Sequence, residues 1–402
     1  MSADATALLA EQPIREIERD GVHYTLLGTA HVSRASVEAV EAMLARGGFD
    51  AIAVELCDSR YNAMTRPDSL GQLDLFRVIR EGKTGLVAAN LALSAYQRRL
   101  AEQLGVEPGA EMRAAIKGAE ASGLPLWRID RDVGITLRRT HAAVGWWDRA
   151  KIAAGLMASV VVDEKVDEAE IEKLKRGDLL ESTFSEFAKR SEPLYRSLIA
   201  ERDRYMAATL REHAARSGAR RVLAIVGAGH LAGMVSALTE EQAAPAGIRA
   251  ELDQVPAAKR WGTWITLLLA LFVAGGFVWG FNQGADIGTD LVVAWVLSTG
   301  VLGAIGCALA GGHPLSILGA FIASPLTPLH PALASGTVSA LIEAGVRRPK
   351  VADFQTLRDD VTHFTGWWRN RVARVLVNFF LTSFGTALGV YIAGWRMLER
   401  LL

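Results

Sequence analysis

The sequence predicts an α/β soluble domain followed by an α-helical transmembrane domain, and three observations carry that expectation. Short apolar, β-rich runs alternate with helical patterns through the first part of the chain. Charged residues thin out sharply after residue 257. Three later apolar runs have roughly the 20 residues that a helix needs to cross a bilayer. The 402 residues hold 44 Lys and Arg against 44 Asp and Glu, so no net charge points to a nucleic acid partner. That balance conceals an asymmetry. Residues 1–257 carry 33 Lys and Arg against 37 Asp and Glu, and residues 258–402 carry only 11 against 7. The domain boundary is therefore placed between 257 and 258.

The N-terminal stretch MSADATALLAEQPIREIERDG is acidic and has no apolar core long enough for a secretory signal, so the soluble domain is expected in the cytoplasm. VHYTLLGTAH (22–31) reads as a strand. SRASVEAVEAMLARG (33–47) reads as a helix, with Val37, Val40 and Leu44 at helical spacing and Gly47–Gly48 to end it. DAIAVEL (50–56) is a second strand. Strand, helix and strand make a βαβ unit, whose strands are parallel. LPLWRID (124–130) and RRVLAIVGAG (220–229) add further strands. Residues 70–121 and 142–216 read as helical, and the charge-dense run VDEKVDEAEIEKLKR (162–176) as a solvated helix face. The fold expected is a parallel or mixed sheet with flanking helices. Cys57 and Cys307 fall in different domains, and reduced thiols fit a cytoplasmic location.

In the second domain, 261–281, 291–312 and 375–395 read as spans, and each carries Trp, Tyr or both at or near an end, as interfacial residues do. PLSILGAFIASPLTPLHPALASG (314–336) is apolar but broken by Pro325, Pro328 and Pro331. A full span there would place the seven Lys and Arg of 346–374 on the side opposite Lys259 and Arg260, against the positive-inside tendency. Three spans and a broken or re-entrant segment are preferred over four spans. Trp146–Trp147 and Trp367–Trp368 sit beside basic residues as interface anchors do, and Trp146 would lay the helix 142–162 along the bilayer. His313 and His330 flank or enter the broken segment, as a lining residue or as partners for freed backbone groups.

The chemistry is expected at the strand ends. GTAH (28–31) and GAGH (227–230) place a histidine three residues after a glycine at the exit of a strand. Glu55 ends the second strand and Asp130 closes LPLWRID. In a parallel sheet all carboxyl ends share one edge, where ligands bind, so residues two hundred positions apart can meet. The glycines allow a sharp turn and a close approach to the main chain. Two imidazoles and a carboxylate form a common ligand set for Zn or a similar divalent ion, which makes a nucleophile of bound water near neutral pH. His31, Glu55 and His230 are the candidate ligands. Arg60 in CDSRY and Arg202 in ERDRY could hold a substrate carboxylate or a developing oxyanion. A bare histidine after a strand is also an ordinary loop or capping residue, and this spacing is no local metal motif.

GTAH, VELCDSRY, LWRIDRD and VGAGH, taken in that order, resemble the TraB/PrgY family over most of 20–235. SPLTPLHP and VRRPKVADF extend the likeness into the hydrophobic third. The family shares the paired Gly-x-x-His pattern with Tiki-type metalloproteases and, more distantly, with ChaN and erythromycin-esterase-like proteins. The resemblance implies a central sheet flanked by helices and, by analogy with Tiki, a membrane-anchored hydrolase that cuts peptides with a divalent ion (Zn, Mn or Co). His31, Glu55 and His230 would then sit at the metal or act as acid and base, with Arg60, Asp130 and Arg202 as catalytic neighbours. The PrgY branch implies another function, a non-catalytic protein that sequesters a peptide pheromone or small ligand. The partners expected are a peptide substrate or ligand and the lipid bilayer of the plasma or inner membrane, with a homo-oligomer also compatible with the sequence.

Overall fold

A computed structural model of the chain describes residues 8–10, 12–29, 34–65, 75–82, 84–85, 87–88, 91, 109–145, 148, 151, 191–256, 261–330 and 334–401. It divides into two compact units. One comprises Met1–Pro67 and Tyr96–Ala257, the other Asp68–Ala95 and Ala258–Leu402.

The first unit is built on a mixed five-stranded sheet in the order β1-β2-β5-β3-β4. The strands are β1 (Ile14–Arg19), β2 (Val22–Thr29), β3 (Ala51–Val54), β4 (Leu126–Arg128) and β5 (Arg221–Gly227). β2, β5, β3 and β4 run parallel, and only the edge strand β1 is antiparallel, paired with β2. β1 was not anticipated. Ile14–Arg19 forms a hairpin with β2 through Asp20–Gly21, both at positive φ (55° and 71°). Asp-Gly favours this turn because glycine takes a positive φ without steric cost.

Side chains alternate across the sheet and fill two cores. From β5, Val222, Ala224 and Val226 face a core shared with Met206, Leu210, Met234 and Leu238. These come from the helices α5 (Glu201–Ser217) and α6 (Leu231–Glu240). Leu223 and Ile225 point the other way, onto Val40 and Met43 of α1 (Arg34–Arg46) and Met112 and Ile116 of α3 (Ala110–Ser122). A parallel sheet covered on both faces needs strands that are apolar throughout, and β5 is buried from Val222 to Gly227. Among the described residues this unit also holds α2 (Asp58–Thr65), α4 (Val133–Ala143) and α7 (Pro245–Asp253), and a short helix (Glu192–Tyr195) that runs through a π turn (Arg196–Ala200) into α5.

Register places the first glycines of the two Gly-x-x-His motifs on neighbouring strands. β2 and β5 are hydrogen-bonded neighbours, with Gly28 opposite Val226 and Thr29 opposite Gly227. The two glycines that start the motifs are thus offset by one residue on adjacent parallel strands. Gly28 is also required for packing, since a Cβ there would strike Leu231 at the start of α6.

Among its described residues the second unit contains three helices long and apolar enough to cross a membrane. They are α8 (Trp261–Gln283), α9 (Ala285–Leu309) and α12 (Arg371–Leu401). Between α9 and α12 the apolar segment is interrupted as the prolines predict. α10 (Pro314–Ala323) ends in a turn, a short 3-10 helix covers Thr327–Leu329, and α11 (Ser335–Arg347) follows. α9 and α12 approach closely because glycines face backbone. A Cβ on Gly306 would fall on the Leu381 carbonyl, and one on Gly385 on the Leu302 carbonyl. Small residues permit such contact between apolar helices, and side-chain hydrogen bonds reinforce it. Asn378 accepts from Ser339 at 2.7 Å and donates to the Cys307 sulfur at 3.2 Å, and Thr386 donates to Ser324 at 2.8 Å. Outward-facing Trp264, Leu268, Leu271, Leu309 and Phe384 are exposed. Both cysteines are free and buried. His313 caps α10, its Nδ1 accepting from the Leu315 amide at 3.2 Å. Trp367 and Trp368 donate to the carbonyls of Val361 and Leu309. Trp146, Trp147, the charged run 162–176 and nearly all of 146–162 lie outside the described residues.

Candidate functional site at the carboxyl edge of the sheet

The expected convergence at the strand ends is present for Glu55, Asp130, Arg202 and His230. Glu55 follows β3, Asp130 lies two residues past β4, and His230 closes the 3-10 turn after β5. Arg202 comes from the first turn of α5. His31 lies just beyond β2, outside the described residues.

Arg202 is the hub. Its Nε and Nη2 donate to the two oxygens of Asp130, each at 2.9 Å, in a bidentate pair. Nη2 also donates to Glu55 Oε1 at 2.5 Å, and Nη1 lies 3.1 Å from His230 Nε2. The other Glu55 oxygen accepts from the Gly227 amide at 2.6 Å. The first glycine of the GAGH motif therefore anchors the carboxylate from the neighbouring strand with its backbone. Asp130 Oδ1 accepts a further bond from the Arg131 amide at 2.8 Å. Arg60 stands at the rim, 3.8 Å from Asp130 Oδ2, with 43% of its side chain exposed. A second ligand of His230 was not foreseen. Asp203 Oδ1 lies 2.5 Å from His230 Nδ1, and Glu55 Oε1 lies 3.3 Å from Nε2.

The sequence held a signal for Asp203. Asp203, Met206, Ala207, Leu210 and Ala214 form the buried stripe of α5, at helical spacing. An aspartate among core positions needs a partner, because an isolated buried carboxylate is costly. The motif ERDRY aims its charges in separate directions. Glu201 binds Arg131 and Arg139, Arg202 binds the cluster, Asp203 binds His230, and Arg204 pairs with Glu241. Arg131 is fully buried and donates to Thr136 of α4, Glu201 of α5 and the Leu252 carbonyl of α7, as well as to the Ser197 carbonyl, which ties these helices together.

The electrostatics follow from this geometry. Burial would lower the basicity of Arg202, but the charges of Asp130 and Glu55 outweigh it and raise the guanidinium above its ordinary range. Burial would also push the His230 imidazole down. The Glu55 charge and the Asp203 hydrogen bond prevail over burial and Arg202, and raise it to about 9. Burial pushes the Asp203 carboxyl up, against the pull of His230. The Asp203–His230 pair thus retains a proton near neutrality. As the imidazolium, His230 directs Nε2–H toward Glu55. As the neutral imidazole, its Nε2 accepts from Arg202.

Two ligands on one divalent ion, each about 2 Å from it, stand roughly 3 Å apart, which the 3.3 Å between Glu55 Oε1 and His230 Nε2 matches. Asp203 on the other ring nitrogen is the usual outer partner of a metal-bound imidazole. The Arg202 guanidinium, however, contacts both donor atoms and already supplies the compensating positive charge. Among the described residues no three His, Cys, Asp or Glu side chains are grouped to hold a metal. The donor set, as far as it is described, fits a guanidinium.

Fold and site together define a class: an α/β domain with a buried, charge-compensated cluster on the carboxyl edge of its sheet, in one chain with a domain of long apolar helices. The chain belongs to the TraB/PrgY/gumN family, which matches residues 13–247, and residues 261–402 match the TraB family protein C-terminal domain. An uncharacterized protein of Methanocaldococcus jannaschii is 30% identical over 373 residues, 91% of this chain and 92% of that one. TraB domain-containing proteins of Bos taurus and Homo sapiens are each 28% identical over 242 residues, 54% of this chain and 63% of theirs.

Proposed function

We propose that the carboxyl edge of the sheet is the active site of a membrane-anchored hydrolase that acts on peptides from the cytoplasmic side. The observation that carries this reading is the Asp203–His230 pair set against Glu55 and Arg202. A histidine oriented by a carboxylate, beside a second carboxylate, is the equipment of acid–base catalysis. In this reading Glu55 takes a proton from the attacking water. His230 returns one to the leaving amine from Nε2. Arg202 faces the negative charge that develops on the carbonyl oxygen. Arg60 at the rim receives a carboxylate of the peptide. The His31, Glu55 and His230 set that the sequence offered to a divalent ion (Zn, Mn or Co) takes no part in these steps, since Arg202 already occupies the donor atoms of Glu55 and His230.

A second reading is favoured by one observation: the Arg202 donors are already engaged by Asp130, Glu55, the Leu198 carbonyl and His230. A site so saturated captures a peptide or small ligand without turning it over, as sequestration of a signalling peptide requires.

The test incubates the purified full-length protein with a mixed peptide pool and reads products by mass spectrometry, beside metal analysis of the same preparation. The hydrolase reading expects cleavage that disappears in Asp203→Asn and His230→Ala, with far-UV circular dichroism unchanged. Peptides that bind the wild type and return intact overturn it in favour of capture. A metal content that is equal in wild type, His31→Ala and His230→Ala removes the ion from the site.

A further inference from the structure

We propose that the basic hollow between the end of α11 and the start of α12 binds the headgroup of an anionic phospholipid. The hollow is an open cavity of about 780 Å³, and six cationic side chains line it: Arg347, Arg348, Lys350, Arg369, Arg371 and Arg374. Among the described residues no carboxylate lines it. Of the acids nearby, Glu343 is 3.1 Å from Arg347 and also accepts from the His313 amide and Ser316, while Asp353 reaches Arg371 only at 4.0 Å. Among the described residues Arg348, Lys350 and Arg369 have no carboxylate within ion-pair distance. Six positive charges converging on one cavity repel each other, and a solvated loop would relieve that by spreading them.

Main-chain contacts hold the arrangement in place. Arg374 donates to the Trp368 carbonyl at 2.6 Å and to the Arg369 carbonyl at 3.2 Å, and Arg347 donates to the Gly311 carbonyl at 2.7 Å. The hollow therefore exists before any ligand arrives, which spares a polyanion the ordering cost. Its place in the fold selects the ligand. It opens where the apolar helix α12 begins, and Phe364 and Trp368, 4.9 Å apart and the latter in the short helix Gly366–Arg369, stand just before it as interfacial aromatic residues do. A basic pocket at the end of membrane helices matches a phosphate-bearing headgroup, and one with two phosphates uses six cations best. Guanidinium groups suit phosphate because they donate in a planar fork.

The proposal rests on the bilayer reading of α8, α9 and α12. It is tested with the full chain in nanodiscs of phosphatidylcholine alone or with a minority of cardiolipin, compared with the variant Arg348→Gln/Lys350→Gln/Arg369→Gln. Among the described residues these three side chains make no ion pair, so the substitutions remove charge without breaking one. The expected result is that cardiolipin raises the thermal midpoint of the wild type and stays bound in native mass spectrometry. In the variant the apparent affinity falls about a hundredfold, from roughly fivefold per cation lost, while the midpoint in phosphatidylcholine is unchanged. Equal cardiolipin retention by both proteins overturns the proposal. So does pyrophosphate that binds in lipid-free micelles as tightly as the lipid does, since the hollow would then serve a soluble phosphate. Failure to insert into phosphatidylcholine discs would instead mark a failure of the bilayer reading.

Discussion

Asp203 and His230 meet at 2.5 Å between Oδ1 and Nδ1, and they come from different elements, α5 and the turn after β5. The contact fixes the imidazole so that Nε2 faces Glu55 and Arg202. Asp203→Asn keeps the volume but removes the charge. The expected outcome is a His230 pKa that falls from about 9 toward its ordinary 6.5. A proton NMR titration of the imidazole in both proteins measures this directly. An unchanged titration would show that Asp203 does not hold the proton.

The same shift predicts a pH dependence of stability. Because the folded pKa lies above the unfolded value, the contribution of His230 is fully present below about 6.5 and is lost as pH rises through about 9. The thermal midpoint should decline across that window, and the decline should shrink in Asp203→Asn. A flat wild-type profile between those values refutes the prediction.

Arg202 compensates two buried carboxylates, so its loss should be severe. Arg202→Leu strands Glu55 and Asp130 and is expected to cost about 3–5 kcal/mol in denaturant unfolding, the usual penalty for breaking a buried pair from one side. Arg202→Lys restores charge without the bidentate fork and should recover part of the loss. Identical midpoints for the two variants would mean that charge compensation is not the role of Arg202.

Gly233 offers a way to disturb the site without removing any of its groups. A Cβ there would fall on the Asp203 carboxylate, whereas one on Gly247 meets nothing within 4 Å. Gly233→Ala should therefore displace Asp203 and change the His230 titration. Gly247→Ala, inside α7, should leave it alone and stabilise by up to about 1 kcal/mol. Matching titrations in the two variants would dissociate Gly233 from the site.

The broken segment between α10 and α11 predicts topology. With three spans, a reporter fused after Arg348 should label on the same side as one at the N-terminus. Reporters on opposite sides would require a fourth crossing.

Much of this protein is legible in the sequence for a physical reason. A strand buried on both faces must be apolar throughout, so β2, β3 and β5 announce themselves in VHYTLLGTAH, DAIAVEL and RRVLAIVGAG, while the edge strand β4 shows only as the short run LPLWRID. A bilayer demands about 20 apolar residues, so α8, α9 and α12 are equally plain. The three prolines mark the break between α10 and α11. β1 was missed because IREIER alternates weakly, although the Asp20–Gly21 pair that follows it is a hairpin signal.

The chain order, by contrast, says nothing of β5 entering the sheet between β2 and β3. That choice is made by long-range pairing, whose return comes only when both helical layers pack. It brings Gly28 and Gly227, the glycines that start GTAH and GAGH, onto adjacent strands and puts the Gly227 amide on Glu55. It also turns α5 so that Arg202 and Asp203, neighbours in the chain but about 100° apart on a helix, reach two different sides of His230. The sequence alone determined the kinds of residue gathered at this edge. Only the tertiary structure decided which carboxylate orients the histidine and that a guanidinium stands between it and the others, because those contacts span from 27 to more than 140 residues and follow from packing.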